Sequence, residues 1–324
     1  MAGFFGNRNK PGKGVDRDAP PQNAFIRYFT VFIRHFWSLS FVNLIYLIVL
    51  IPVVAACLGL LQLVFALGFG ENWVLILLSF APIILLAPAN AGITKITRDF
   101  AREEPVFVWQ DFWESAKKNL KQSLAVSTIG YIGAFVFTLV LIFYYNFVDF
   151  NNFLSLLPFV ACLVLCVLFI CAIFYMQLMV VTLDLKIKQI VKNSFILTIA
   201  CFFKNLLCLA VCSLFLIIYA IVCFYSVASY GAIILMVALT FLIFFALEFY
   251  TVNFIFFSVI KQQIIDPYYE ANPDKTAKGV LEKEQNDEED ATELPEYVYE
   301  NGRMVPRSVI ENTASIFEDK GKED

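Results

Sequence analysis

Histidine is nearly missing from this sequence, since His35 is the only one among 324 residues. The zinc-hydrolase motif HExxH needs two histidines, and Ser-His-Asp hydrolases need one beside a nucleophile such as that of GxSxG. Neither of these motifs occurs, and the phosphate-binding pattern GxxxxGK[ST] is absent too. We therefore expect a protein that is not an enzyme, with no catalytic residues, no cofactor and no metal site.

Charge is the second scarcity. Charged residues make up 16% of the chain and apolar residues 60%, with 35 phenylalanines among the latter. An average soluble domain has about 25% charged and about 45–50% apolar residues. A soluble globular protein is therefore excluded as the general class. We expect the lipid bilayer to be the main partner, and we expect no nucleic-acid partner.

Long apolar runs dominate what is present. A helix needs roughly 20 apolar residues to cross a hydrocarbon core of about 30 Å, and "FVNLIYLIVLIPVVAACLGLLQLVFALGF" is longer than that. We predict an all-α membrane protein of about six transmembrane helices, with two cytosolic amphipathic connecting helices. The predicted spans are roughly 39–67, 73–94, 123–147, 154–181, 206–225 and 232–257.

The positive charges all fall on one side of these spans. None of the 24 Lys and Arg residues lies in the opposite loops, where Glu71 and Asp149 are the only charges. By the positive-inside rule both termini are expected in the cytosol. The predicted parts are a cytosolic arm with an interfacial segment (1–33), a six-span membrane domain (34–260) and an acidic, largely disordered cytosolic tail (261–324).

The first long cytosolic connection contains an amphipathic pattern. Apolar residues recur from Trp109 to Leu120 at helical spacing, and charged residues fill the other face. Such a helix is expected to lie in the membrane interface or to dock a partner. The carboxylates around it, including Asp99, are expected to be solvated. The proposed docking or membrane-surface residues are Trp109, Phe112, Trp113, Lys117, Lys118 and Lys121.

The second cytosolic connection, residues 186–204, follows the same plan. Its end, "KNLLCLAVCS", shares the opening Lys-Asn-Leu with "KNLKQSLAVS", which begins 86 residues earlier. A unit of span, amphipathic helix and span is therefore a candidate for duplication.

Polar residues inside spans are costly and need a reason. We single out Glu248, Asn43 and Asn90 as intramembrane polar residues. Glu248 is the ionisable one, and a structural hydrogen bond is the alternative to a transport role. The sequence shows no pair of broken helices and no inverted repeat of the kind that marks many transporters.

The tail after residue 260 carries 8 basic and 17 acidic residues, a net charge of −9. Its composition is typical of a disordered segment. Asn301-Gly302 between two short β-prone runs is compatible with a hairpin turn, so a solvated tail and a small docking element both stay open.

The segment "APANAGITKITRDFAREEPVFVWQDFWESAKKNLKQS" resembles the signature region of the YesL-like bacterial membrane proteins. The run "RHFWSLSFVNLIYLIVLIP" and the "GFF" that begins at Gly3 resemble the start of the same family. This resemblance covers roughly residues 1–260 and implies a multispan protein of the bacterial plasma membrane with no established activity. Family members are often encoded beside carbohydrate uptake and utilisation systems, whereas the long acidic tail is outside the family pattern.

Two functions remain open at this stage. The favoured one is a non-enzymatic accessory protein that presents its cytosolic connections to a membrane or cytosolic partner, such as a component of an uptake system. The alternative is a small-solute transporter or permease that uses Glu248. A polar path between the spans would favour the transporter, and a tightly packed body would favour the accessory protein.

Overall fold

The structure is a computed structural model that describes residues 23–149, 152–227, 229–271, 297–300 and 303–306. Its body is all-α, as the sequence predicts. The helices are α1 (Ala24–Arg34), α2 (Phe36–Ala66), α3 (Trp73–Leu78), α4 (Ala87–Arg102), α5 (Val108–Lys118), α6 (Leu120–Phe147), α7 (Phe153–Thr182), α8 (Ile187–Ala200), α9 (Phe202–Ser226), α10 (Tyr230–Leu242), α11 (Phe244–Ile260) and α12 (Asp266–Ala271).

Within the described chain, six helical stretches are long and apolar enough to cross a membrane. The predicted number of spans is therefore confirmed. The bundle has one end that carries α1, α5 and α8 with their lysines and arginines, which we call the basic end. The six stretches are Phe36–Ala66, Trp73–Arg102, Leu120–Phe147, Phe153–Thr182, Phe202–Ser226 and Phe244–Ala271.

Two of the membrane-crossing segments are discontinuous, contrary to the expectation of unbroken helices. The second consists of α3, a 3₁₀ turn (Ala81–Leu86) and α4. The last predicted span, 232–257, is also interrupted: α10 is a separate, shorter apolar helix, and it is divided from α11 at Ile243, whose φ of −151° and ψ of −18° are not helical. The sequence gives little sign of this second break, because Leu242, Ile243 and Phe244 continue the apolar run without glycine or proline.

Helix α4 forms the centre of the bundle. Its first turns carry alanines and Gly92, which let neighbouring backbones approach closely. A Cβ atom added at Gly92 would lie 2.9 Å from the Phe112 ring of α5. Twelve of its 16 residues are buried, and it packs against α2, α5, α6, α7 and α11. The predicted span ended at residue 94, whereas the helix runs on to Arg102 because α5 folds back and covers it.

Each amphipathic helix packs on the helix that precedes it, α5 on α4 and α8 on α7. The asparagines of the two Lys-Asn-Leu motifs lie at equivalent positions, where an amphipathic helix meets the membrane-crossing helix that follows it. Asn119 is buried and donates to the Ser115 carbonyl of α5, while Asn205 is buried and donates to the Thr198 carbonyl of α8. The local structure is therefore repeated at both corners, in agreement with the repeat in the sequence.

The last membrane helix does not end at residue 260. It continues through a π-helical turn (Lys261–Ile265) into α12. Farther along the chain, strands β1 (Tyr297–Glu300) and β2 (Arg303–Pro306) pair antiparallel. The suggested turn at Asn301-Gly302 lies between these strands but outside the described residues, as does most of the acidic tail.

A pocket with a buried acid and the exposed face of α5

A pocket of about 560 Å³ lies between α4, α7, α9 and α11. Its walls are mainly leucine, isoleucine, valine and phenylalanine. The lining also contains six polar or thiol side chains from four helices, namely Thr94, Gln177, Cys212, Ser213, Glu248 and Asn253.

Two polar atoms in this lining are buried and lack a hydrogen-bond partner among the described residues. They are Oε1 of Glu248 and Oγ1 of Thr94. Thr94 as a whole is only 1% exposed. The carboxyl group of Glu248 lies beside the Cys212 thiol of α9. A buried polar atom without a partner costs about 1–3 kcal/mol, so these two atoms mark a place where a further group can bind.

The pocket contains a single acid and no base. Glu248 is the only carboxylate among its lining residues, and the described lining includes no lysine, arginine or histidine. Its Asn253 is held in place, because the side-chain amide donates to Thr97 Oγ1 at 2.6 Å. Asn253 therefore joins α11 to α4 at the edge of the pocket.

Asn43 does not line this pocket but bridges the break in the last span. Its side-chain nitrogen donates to the carbonyls of Thr240 and Phe241, at 2.8 and 2.9 Å. Its side-chain oxygen accepts from the backbone N–H groups of Phe245 and Ala246, at 3.0 and 3.1 Å. One amide thus satisfies backbone groups on both sides of Ile243, which gives Asn43 a structural role.

Asn90 does not line the pocket that contains Glu248. It accepts a hydrogen bond from the Tyr46 hydroxyl at 2.9 Å. It also lines a second pocket of about 440 Å³, between the 3₁₀ turn, α4, α6 and α7. Ile170, Phe174 and Gln177 of α7 line both pockets. Glu248 lines only the first of them, Asn90 lines only the second and Asn43 lines neither, so the residues singled out inside the spans do not form one cluster.

At the basic end, Arg98 and Asp99 are buried, with 1% and 4% of their surfaces exposed. Arg98 donates to Asp99 and also to the carbonyl of Val181 on α7, at 2.8 Å. The prediction that Asp99 belongs to a solvated charged face is therefore wrong. Its carboxylate is covered because α5 and α7 pack over the end of α4.

Glu103 connects the N-terminal helix to α4. It terminates α4 in the left-handed conformation, with φ 62°. Its carboxylate accepts from Arg27 at 3.1 Å and from Arg34 at 3.0 Å. Tyr28 lies on α1, as Arg27 and Arg34 do, and its hydroxyl contacts Thr251 of α11 at 2.8 Å. Burial raises the pKa of Tyr28 to about 12. Helix α1 is therefore fixed across the end of the bundle.

The predicted apolar stripe of α5 is divided between a part that packs on α4 and a part that is exposed. Phe112 and Ala116 are buried against α4, whereas Trp109 is 58% exposed. The prediction that Phe112 lies on the membrane or docking surface is therefore wrong, because its ring fills the space left open at Gly92. Trp113 is half-buried and its ring contacts both Trp109 and Phe112. The lysines at 117, 118 and 121 are exposed.

Sequence reasoning identified Glu248 but missed Thr94 and Cys212. Thr94 was assigned to the end of a span, and a threonine there is ordinarily bonded to its own helix. Cys212 is one of eight cysteines in the sequence and lies in an apolar run, where a cysteine resembles a small apolar side chain. The sequence contains no signal that identifies these two residues. They become part of the pocket only because α4 and α9 pack beside α11, and those contacts are supplied by the tertiary structure.

Residues 71–147 match the sequence profile of a family described as "Protein of unknown function, DUF624". The matched part includes α3, α4, α5 and α6, and thus the central helix and the exposed helix beside it. No curated protein and no solved structure shows a significant match to this chain.

Proposed function

We propose that this protein binds a small solute inside the membrane and transfers it across, as a transporter or permease does. The observation that carries this proposal is the pocket in which Glu248 and Thr94 each have a buried polar atom without a partner. Polar groups of this kind inside a membrane-spanning bundle are costly and tend to mark substrate or ion pathways.

The broken last helix supports the same proposal. Discontinuous helices recur at the binding sites of secondary transporters, where backbone groups at the break are held by neighbouring side chains. Glu248 lies five residues after the break at Ile243, on the first turns of α11. The transporter therefore takes precedence over the accessory role that the sequence alone favoured.

The proposal includes a location. We place the protein in the bacterial plasma membrane, on the basis of the YesL-like resemblance, with its basic end and both termini in the cytosol. The one-sided distribution of lysine and arginine supports this orientation.

A transport site has to meet water from at least one side, and this can be tested without knowing the solute. In a cysteine-free background, Ser213→Cys places a thiol in the pocket lining. We expect this thiol to react with a charged, membrane-impermeant thiol reagent in intact cells or in inverted vesicles. Its rate should exceed that of the matched control Leu214→Cys at least tenfold, because Leu214 is exposed outside the pocket lining.

Equal, slow reaction at both positions from both sides of the membrane would contradict a transport pathway through this pocket. Fast reaction at position 214 would show that the labelling does not discriminate the pocket from the surface of the bundle, and it would also count against the proposed path.

A second function, the accessory or docking role, is favoured by the outer face of α5. Buried Phe112 and the hydrogen bond from Ser115 to the Ala91 carbonyl fix the helix to α4. Its opposite face presents Trp109 together with the nearby Phe107, which is 75% exposed. Such a face suits a protein partner, for example a component of a carbohydrate uptake system, as well as anionic lipid.

Charge reversal tests this second function. We expect the triple substitution Lys117→Glu, Lys118→Glu and Lys121→Glu to leave thermal stability within a few degrees of the wild type, because all three side chains are exposed. It should release partners that co-purify from gently solubilised membranes. A second triple variant reverses Lys186, Lys188 and Lys192 at the start of α8, the other connection that the docking role involves. If both triple variants retain every partner, the docking role is excluded for these helices.

A further inference from the structure

We infer that the pocket between α4, α7, α9 and α11 binds an amphiphilic organic amine, whose ammonium group lies between Glu248 and Thr94. The inference rests on the proposed solute-binding role of this pocket and adds the chemical class of the solute. The hydrocarbon part of the amine occupies the apolar walls, and entry is from the surrounding bilayer.

The route of entry follows from which lining residues are exposed. Val167 and Ile170 of α7 are 43% and 40% exposed, and Leu206 and Leu216 of α9 are 52% and 51% exposed. All four line the pocket. Their exposed surfaces lie on helices that are apolar enough to span a membrane, where the surrounding medium is acyl chain. The pocket is thus reached through a gap between α7 and α9 that a hydrophobic molecule can enter directly.

The apolar side chains of the pocket walls indicate that most of the ligand is apolar. Phe174, Leu209, Phe249 and Val252 lie along the pocket and offer no hydrogen bonds through their side chains. A free sugar carries a hydroxyl on nearly every carbon, and each hydroxyl that loses water without finding a partner costs free energy. A molecule with an apolar body and one polar head matches this lining better than a sugar does.

Glu248, the single acid in the lining, indicates the charge of the ligand's head group. An isolated carboxylate in an apolar environment needs either a proton or a positive partner. The described lining supplies no cationic side chain, so a positive partner for the charged form of Glu248 has to come from the ligand. An ammonium group has several N–H donors, so it can pair with Oε1 of Glu248 and still has a donor for Oγ1 of Thr94. Both atoms are acceptors without a partner in the described structure.

The test uses three probes that share one chain length and differ in the head group: decylamine, decanol and decanoate. Each is added to the purified full-length protein in lipid nanodiscs at pH 7, where the amine is protonated, and thermal unfolding is followed. We expect decylamine to raise the melting temperature in a saturable manner, with decanol much weaker and decanoate inactive. We expect this order because the Glu248 carboxylate attracts the ammonium group, has no ionic attraction for the alcohol and repels the carboxylate of decanoate.

Four variants locate the effect. Glu248→Gln should weaken decylamine binding at least tenfold, and Thr94→Val should weaken it severalfold. Ala210→Trp, which fills the pocket from α9, should abolish binding of every probe. Glu114→Gln on the exposed face of α5 removes a carboxylate far from the pocket and should bind decylamine as the wild type does.

The outcomes separate this inference from the proposed function. If decanol binds as well as decylamine, and Ala210→Trp abolishes both while Glu248→Gln changes neither, the amine class is wrong and the pocket still binds solutes. If Ala210→Trp has no effect on any probe, binding is elsewhere and the inference fails. Saturable amine binding combined with an unreactive thiol at position 213 would support the ligand class and contradict transport.

Discussion

Arg98→Leu is expected to destabilise the protein by about 3–5 kcal/mol, the range observed when one partner of a buried ion pair is removed. The substitution leaves the buried Asp99 carboxylate without its main partner and leaves the Val181 carbonyl on α7 without its donor. The measurement is the free energy of unfolding in mild detergent, or the melting temperature where unfolding is irreversible.

The matched control for this prediction is Arg34→Leu. Arg34 also pairs with a carboxylate, that of Glu103, but its side chain is 55% exposed. Exposed ion pairs contribute about 0–1 kcal/mol, so this variant should stay close to the wild type. The double variant Arg98→Leu/Asp99→Leu should recover part of the loss, because the buried carboxylate that lacks its arginine is removed as well. Similar stabilities for Arg98→Leu and Arg34→Leu would show that Arg98 is solvated rather than buried.

Asn43→Leu is expected to cost about 3 kcal/mol, since two carbonyls and two N–H groups at the break lose the partner that joins them. Unsatisfied buried groups cost about 1–3 kcal/mol each, and part of this is regained when α10 and α11 shift toward regular helix geometry. Thermal stability in detergent measures the loss. Asn43→Asp should be intermediate, because it retains the oxygen acceptor for Phe245 and Ala246.

Asn146→Leu is the matched control for the loss of an asparagine side chain. Asn146 is exposed, and its one side-chain hydrogen bond within the described residues is to the Ile142 carbonyl of its own helix. We expect its stability to match the wild type. An Asn43→Leu variant as stable as Asn146→Leu would mean that the break at Ile243 does not depend on the side chain of residue 43.

The membrane-crossing segments were predictable because their signal is local. An apolar run of sufficient length has one low-energy state in a bilayer, a helix that satisfies its own backbone, so composition alone identifies six of them. The ends of the membrane-crossing helices were less predictable. Residues after 94 look like a charged connection, yet α4 continues to Arg102 because Arg98 finds Asp99 and the Val181 carbonyl.

The candidate site was only partly predictable for a related reason. Glu248 is conspicuous in any apolar run, whereas Thr94 and Cys212 are ordinary members of their helices until α4 and α9 pack beside α11. Phe112 shows the converse. Its helical spacing with Trp109 and Trp113 is real, but the ring faces Gly92 rather than a membrane or a partner.

The sequence by itself determined the all-α class, the number of apolar helices and the gathering of lysine and arginine at one end, because each depends on composition within a short stretch. The tertiary structure decided that Arg98 is buried, that the last helix breaks at Ile243 and that Glu248 and Thr94 share a pocket. Each of these depends on a partner far along the chain, such as Val181, Asn43 or α4 itself, and a pairwise contact between distant segments has no signature in either segment alone.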